Sequence, residues 1–155
     1  MKSLFFYETE IGTISIAEED NFITEITFGM GDEDKNIPLT ETPLTKETAR
    51  QIREYLSGKR KSFDLPIAPS GTEFRQKVWS ALQSVPYGET RSYKEIAVQI
   101  GNENACRAVG MANNKNPLPI IIPCHRVVGS DGKLVGYAGG LEIKEYLLNL
   151  EKTNN

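Results

Sequence analysis

Hydrophobic and polar positions fall into short blocks at the start of the chain. Leu4 to Thr9, Thr13 to Ala17 and Phe22 to Phe28 are rich in aromatic and β-branched residues, and Gly12 and the polar stretch Glu18 to Asn21 separate them. Blocks of this kind predict strands joined as a β-meander. After a loop from Gly29 to Pro43 the spacing becomes helical: Ala49, Ile52 and Leu56 share one face, Thr45 is a capping residue, and Gly58 ends the helix. The segment Lys59 to Ser70, with a basic run and prolines, reads as a linker. A domain boundary there divides the chain into residues 1–68 and 69–155.

The second half is helical. Thr72 or Gly71 opens a helix in which Phe74, Val78, Ala81, Leu82 and Val85 line one side, and Pro86 with Gly88 closes it. Ser92 and Glu95 then stand at capping-box spacing, with Gly101 ending that helix. Asn104 is placed to cap a further short helix, Ala105 to Ala112. Two short helices joined by so short a turn form a candidate helix-turn-helix. The second is slim, because Ala105, Ala108, Gly110 and Ala112 leave Arg107 as its one long charged side chain. Small residues of this kind serve tight packing or close approach to a groove. A terminal helix carries an apolar stripe of Ile143, Tyr146, Leu147 and Leu150, with Glu151 at its edge.

Composition narrows the class. A chain of 155 residues with a mixed charge suits an ordinary soluble protein with one core or two small ones. The longest apolar stretch, Leu118 to Pro123, is too short to span a bilayer and contains prolines, and the start of the chain has no signal-peptide pattern, so a cytoplasmic location is expected. The net charge of -3 argues against nucleic acid at first sight, but residues 1–70 carry -5 and residues 71–155 carry +2. Between Arg91 and Arg126 there are five basic residues and two acidic ones, which allows a small cationic face within an acidic protein. No metal site is expected from one histidine and two cysteines outside any CxxC spacing, nor a disulfide in a reducing compartment. Cys106 is assigned to packing.

The candidate chemistry lies between Asn116 and Val127. Pro117, Pro119 and Pro123 with an apolar run fix the backbone around Cys124, a costly way to hold a thiol that only fills space. Thiolate is the reactive form, and the imidazole of His125 is suited to take or orient its proton. In an extended segment adjacent side chains point to opposite sides, so His125 is expected to act through a bridging water.

These residues belong to a wider pattern. Ile122-Pro123-Cys124-His125-Arg126-Val127 follows Asn116-Pro117-Leu118-Pro119, and Gly71-Thr72-Glu73-Phe74, Val78-Trp79, Pro86-Tyr87-Gly88-Glu89-Thr90, Ser92-Tyr93, Arg107-Ala108-Val109-Gly110 and Tyr137-Ala138-Gly139-Gly140-Leu141 stand around them. The chain resembles the O6-alkylguanine-DNA alkyltransferase family over nearly all its length. The resemblance implies an α/β ribonuclease-H-like domain followed by a mainly α, winged helix-turn-helix-like domain that carries the active site. It implies a monomer that acts without a cofactor on double-stranded DNA containing O6-alkylguanine, moving the alkyl group irreversibly to Cys124. O4-methylthymine lies within the same chemistry.

The resemblance also distributes roles. Cys124 is implied as acceptor, His125 as its water-linked base, Glu151 as the carboxylate that orients the histidine, and Asn116 as a brace of the loop. Such a relay is expected to favour the thiolate near neutral pH. Because a stacked base cannot present O6 to a buried thiol, the nucleotide must be extruded. Arg107 is implied to fill the gap, and Tyr93 to steer the flipped nucleotide and hydrogen-bond the guanine. Ala105, Ala108 and Gly110 are implied to line a minor-groove contact. Arg126, Val127, Pro119 and Ala138 are further implied contacts with substrate or DNA, Ala138 standing where the family often has Ser. The zinc of some relatives does not carry over, since its Cys and His ligands are missing from the amino-terminal half. A thiol hydrolase would need its histidine elsewhere in the chain, a damage-sensing module without repair has Trp in place of Cys124, and a methyl-phosphate-sensing regulator needs a further metal-binding domain.

Overall fold

A computed structural model describes residues 2–29, 37–134, 136–137 and 139–155, which form two compact units, Met1–Ser70 and Gly71–Asn155. In the first, β1 (Lys2–Thr9), β2 (Gly12–Glu19) and β3 (Phe22–Phe28) make the antiparallel meander expected from the sequence. Register is set by pairs such as Phe5 with Ile16 and Ile16 with Ile26, and β2 buries Ile14, Ile16 and Ala17. Helix α1 (Pro43–Leu56) packs on this sheet through Ala49, Ile52 and Leu56.

Two local expectations are corrected here. The cap of α1 is Thr42, whose hydroxyl accepts from Thr45 N, while Thr45 Oγ1 accepts from Thr42 N. Thr45 is thus the third helical residue of a reciprocal box, and Pro43 fills the first position, where no N–H is needed. The expected linker is also not free. Ile23 N donates to Pro66 O at 2.9 Å and Ala68 N to Ile23 O at 3.0 Å, so the segment pairs along the outer edge of β3. Covering that edge satisfies backbone groups that would otherwise template pairing with another chain.

The second unit is built on α2 (Glu73–Gln83), α3 (Tyr93–Gln99), α4 (Cys106–Asn114) and α5 (Leu141–Asn154), with a two-stranded parallel pair of β4 (Arg91–Ser92) and β5 (Val127–Val128). Ser92 and Glu95 form the expected capping box, and Gly101, at φ +81, follows the end of α3 in the left-handed region that glycine tolerates. Asn104 does not cap α4: the position belongs to Ala105, which makes no side-chain cap bond, and the helix runs on to Asn114. Val78, Trp79, Leu82, Ile96, Ala97, Val109 and Leu147 form the core. The Trp79 indole donates to Ala112 O at 2.8 Å, tying α2 to α4 inside that core. On α5 the buried face is Lys144, Leu147 and Glu151, rotated from the expected stripe, and Tyr146 is exposed. Among the described residues no helix is long and apolar enough to cross a membrane.

Candidate active site

Past the end of α4, Asn116 pins the loop that follows. Its Oδ1 accepts from Leu118 N at 2.9 Å and its Nδ2 donates to Ile122 O at 2.8 Å, while Ile122 N donates to Leu118 O at 2.8 Å. Between these anchors Ile120 is held at φ +77, a left-handed conformation that a β-branched residue rarely adopts and that costs about 1–3 kcal/mol. The chain then enters a 3-10 turn, Cys124–Arg126, with Cys124 N donating to Ile122 O at 2.7 Å. The local backbone is therefore a turn rather than the extended segment expected from the sequence.

The turn delivers its side chains to α5. His125 is fully buried, with Nε2 at 2.6 Å from Glu151 Oε2. Arg126 reaches the same carboxylate through Nε to Oε1 at 2.8 Å and Nη2 to Oε2 at 2.9 Å, and its Nη1 donates to Val85 O at 2.7 Å. Gly88 N adds a donor to Glu151 Oε1 at 3.0 Å. The donors from Arg126 and Gly88 suit the carboxylate form of Glu151, which accepts without donating. Burial, opposed by Glu151 and reinforced by Arg126 and Lys144, drives the His125 imidazole below its ordinary value. The buried ring is accordingly neutral near pH 7, and donation from Nε2 to Glu151 fixes its tautomer.

Cys124 is 3 % exposed, and burial pushes its thiol up to about 11, opposed by Asn116, Lys144 and the turn's own backbone. The expectation of a resting thiolate near neutral pH is corrected: desolvation of the anion outweighs the donors and the cation around it. Lys144, also fully buried, donates from Nζ to Val127 O at 2.6 Å, and burial lowers it to about 8 despite the proximity of Cys124. The Tyr93 phenol is raised by burial first and by Cys124 second, with Asn113 acting in the opposite sense. Asn113, itself buried, also donates from Nδ2 to Cys124 O at 3.4 Å.

The structure thus gathers Cys124, His125, Glu151, Asn116 and Tyr93 around one loop and separates other candidates from the surface. Arg126 is 8 % exposed and committed to Glu151 and Val85, so its assignment to DNA contact is corrected. Val127 is fully buried where β5 pairs with β4, and Pro119 is buried beside Ile122, so neither offers a side chain to a duplex. On α4, Arg107 and Ala108 are exposed, whereas Ala105, Gly110 and Cys106 are half-buried. A methyl group at Gly110 would stand 3.9 Å from the Tyr93 ring. Ala138 lies outside the described residues.

Sequence reasoning missed Lys144, Asn113 and the Gly88 amide. Lys144, Leu147 and Glu151 do stand at helical spacing on one face, but a reading that follows apolar residues passes over a stripe with charged ends. Among the described residues no group of three or more His, Cys, Asp or Glu side chains could hold a metal ion.

A helix-turn-helix presenting a slim, Arg-bearing helix beside a loop-held, buried thiol defines a DNA-binding domain with a nucleophilic centre. Comparison with known proteins agrees. Residues 5–69 match the ribonuclease-like domain and residues 73–153 the DNA binding domain of 6-O-methylguanine DNA methyltransferase. The chain is 54 % identical over 150 residues to the methylated-DNA–protein-cysteine methyltransferase of Methanosarcina barkeri, with 95 % of each chain covered. It is 47 % identical over 152 residues to the constitutive enzyme of Bacillus subtilis, covering 94 % of this chain and 92 % of the other. A crystal structure of Mycobacterium tuberculosis OGT in complex with DNA superposes with a TM-score of 0.92 at 40 % identity, covering 98 % of this chain and 94 % of that one. The chain belongs to the 6-O-methylguanine DNA methyltransferase family.

Proposed function

We propose that this protein repairs DNA by direct reversal, moving the alkyl group from O6 of an alkylated guanine to its own Cys124 in a single, irreversible turnover. The observation that carries the reading is the thiol itself: Cys124 is buried at the junction of the Asn116-pinned loop and the His125–Glu151 pair. In the transfer the Cys124 sulfur forms a bond to the alkyl carbon as the carbon–O6 bond breaks, and that electron pair leaves with the guanine. The thiol proton passes to His125 through water, and Tyr93 donates toward the purine so that the leaving base does not carry full negative charge. Lys144 offsets charge as the thiolate forms, which matters because the resting thiol is disfavoured as an anion.

Residues 69–155 hold this chemistry and the contact with duplex DNA. Arg107, exposed on α4, fills the space left by the extruded nucleotide, and the Ala105, Ala108 and Gly110 surface lets the helix approach the minor groove. The protein acts as a monomer. Intact-mass measurement after mixing with a duplex containing O6-methylguanine tests the reading: each chain gains one methyl group on Cys124 and then stops. Repeated turnover by unmodified protein, or full activity of Cys124→Ala, would overturn it.

A further inference from the structure

The Glu151 carboxylate serves two basic side chains at once. His125 Nε2 and Arg126 Nη2 both meet Oε2, at 2.6 and 2.9 Å, while Arg126 Nε and Gly88 N meet Oε1. A histidine with a carboxylate to itself in a dry site is drawn toward imidazolium, because the buried pair is neutral only when it holds the extra proton. Here a guanidinium, which is always charged, already balances the carboxylate. Its position is over-determined: Nη1 is held by Val85 O at 2.7 Å, and the guanidinium carbon lies 5.6 Å from the Tyr87 ring centroid. Among the described residues, the other titratable groups on this cluster include Cys124 on the same turn, Lys144 on α5, Tyr87 on the loop after α2, and Tyr93, which acts through Cys124. Helix α2, also packed on the turn, buries Val78, Trp79, Ala81 and Leu82, none of them charged.

We propose that Arg126 is a positioning residue of the transfer reaction: by sharing and balancing the Glu151 carboxylate it keeps His125 available as an uncharged base for the Cys124 thiol. This inference rests on the function proposed above. It replaces a DNA contact for Arg126 with an internal role, in which the arginine sets the basicity of His125 through a shared carboxylate. Without the guanidinium, the Glu151–His125 pair regains neutrality by taking up a proton, and His125 is then blocked as a base until the pH rises far enough to remove it.

His125 is the only histidine in the chain, so its imidazole resonances need no assignment by mutation. Nitrogen and carbon NMR of the free wild-type protein is expected to report a neutral ring, protonated on Nε2, at and above pH 7. An imidazolium at pH 7 in the wild type overturns the proposal. In Arg126→Gln the ring is expected to titrate about 1–3 pH units higher, and the acid limb of the single-turnover rate should move up by the same amount. Arg126→Lys, which keeps the charge, should restore most of the wild-type profile. If folded Arg126→Gln keeps both the wild-type titration and the wild-type rate profile, the inference fails. If Arg126→Gln does not fold, Arg126→Lys and the wild-type titration still decide. Failure of the functional reading is separately visible, since wild-type protein would then gain no mass from alkylated DNA whatever the state of its histidine.

Discussion

Replacing Glu151 by Gln keeps the shape of the side chain and removes its charge, which makes it a direct measure of how far α5 depends on the carboxylate. The native group accepts from His125 Nε2, two nitrogens of Arg126 and Gly88 N at 2.6 to 3.0 Å, with Glu151 1 % exposed. A glutamine oriented with its oxygen toward Gly88 turns an NH2 toward His125 and Arg126 Nη2, so those contacts become donor against donor. Arg126 is left buried without a counter-charge. Breaking a buried pair by removing one partner costs about 3–5 kcal/mol. For a unit of the size of Gly71–Asn155 each kcal/mol lowers the melting temperature by about 4–8 °C, so a drop of at least about 12 °C is expected. Differential scanning calorimetry reads it, with Glu145→Gln, exposed on the same helix, as the control expected to lie within about 0.5 kcal/mol of wild type. A Glu151→Gln transition within about 4 °C of wild type would refute the argument, because the carboxylate could not then be balancing a buried guanidinium.

Further expectations follow from the same site. With its thiol raised from 9.0 to about 11, Cys124 has about 100-fold less thiolate near neutral pH than an unperturbed cysteine, so in the free protein iodoacetamide should label half-buried Cys106 first, as peptide mass spectrometry can establish; faster labelling of Cys124 contradicts the burial argument. Arg107→Ala should slow repair of duplex DNA more than reaction with free O6-benzylguanine, since only the duplex needs its base extruded, and equal losses on both would remove Arg107 from that role. Lys144 titrates at about 8 in the folded chain against 10.5 unfolded, so the folded state loses its proton first and this group adds on the order of 1 kcal/mol of stability between pH 8 and 9, part of it offset as the Cys124 thiol, at 9.0 unfolded against about 11 folded, begins to ionise in the unfolded chain. Urea denaturation should lose that rise in Lys144→Met; an unchanged pH dependence would locate the titration elsewhere.

The elements that local chemistry specifies were legible in the sequence. Strand blocks, the Ser92–Glu95 box and the Gly58 and Gly101 stops depend on neighbours in the chain, and each is found. So was the loop around Cys124, because prolines and Asn116 act over a few residues. What the sequence hid depends on partners far along it. Arg126 was counted in a possible cationic face and implied by the family resemblance as a contact with substrate or DNA, whereas the approach of Glu151 from α5 and of the Val85 carbonyl from the end of α2 makes it internal. Lys144 was hidden for the same reason, its burial being compensated by Val127 O across the fold. The segment Lys59 to Ser70 does end where the two units divide, but its pairing with β3 was not legible, because proline-rich composition is also what a sheet edge accepts, through carbonyls such as Pro66 O. The protonation state of Cys124 could not be read from Cys-His adjacency, since desolvation is a property of the folded surroundings.

The Trp79 indole, the only one in the chain, ends on the carbonyl of Ala112, the helix that carries Arg107. Its fluorescence is therefore a label that needs no chemistry to install. Buried at 1 % exposure and bonded to α4, it should emit toward the blue in the free protein. If α4 seats against a duplex as proposed, a shift in that helix will alter the field and the hydrogen bond felt by the excited ring. Stopped-flow traces of wild-type protein can thus time the docking of that helix, while the mass of Cys124 times the chemistry, and the interval between the two signals is the time taken to bring the base to the sulfur.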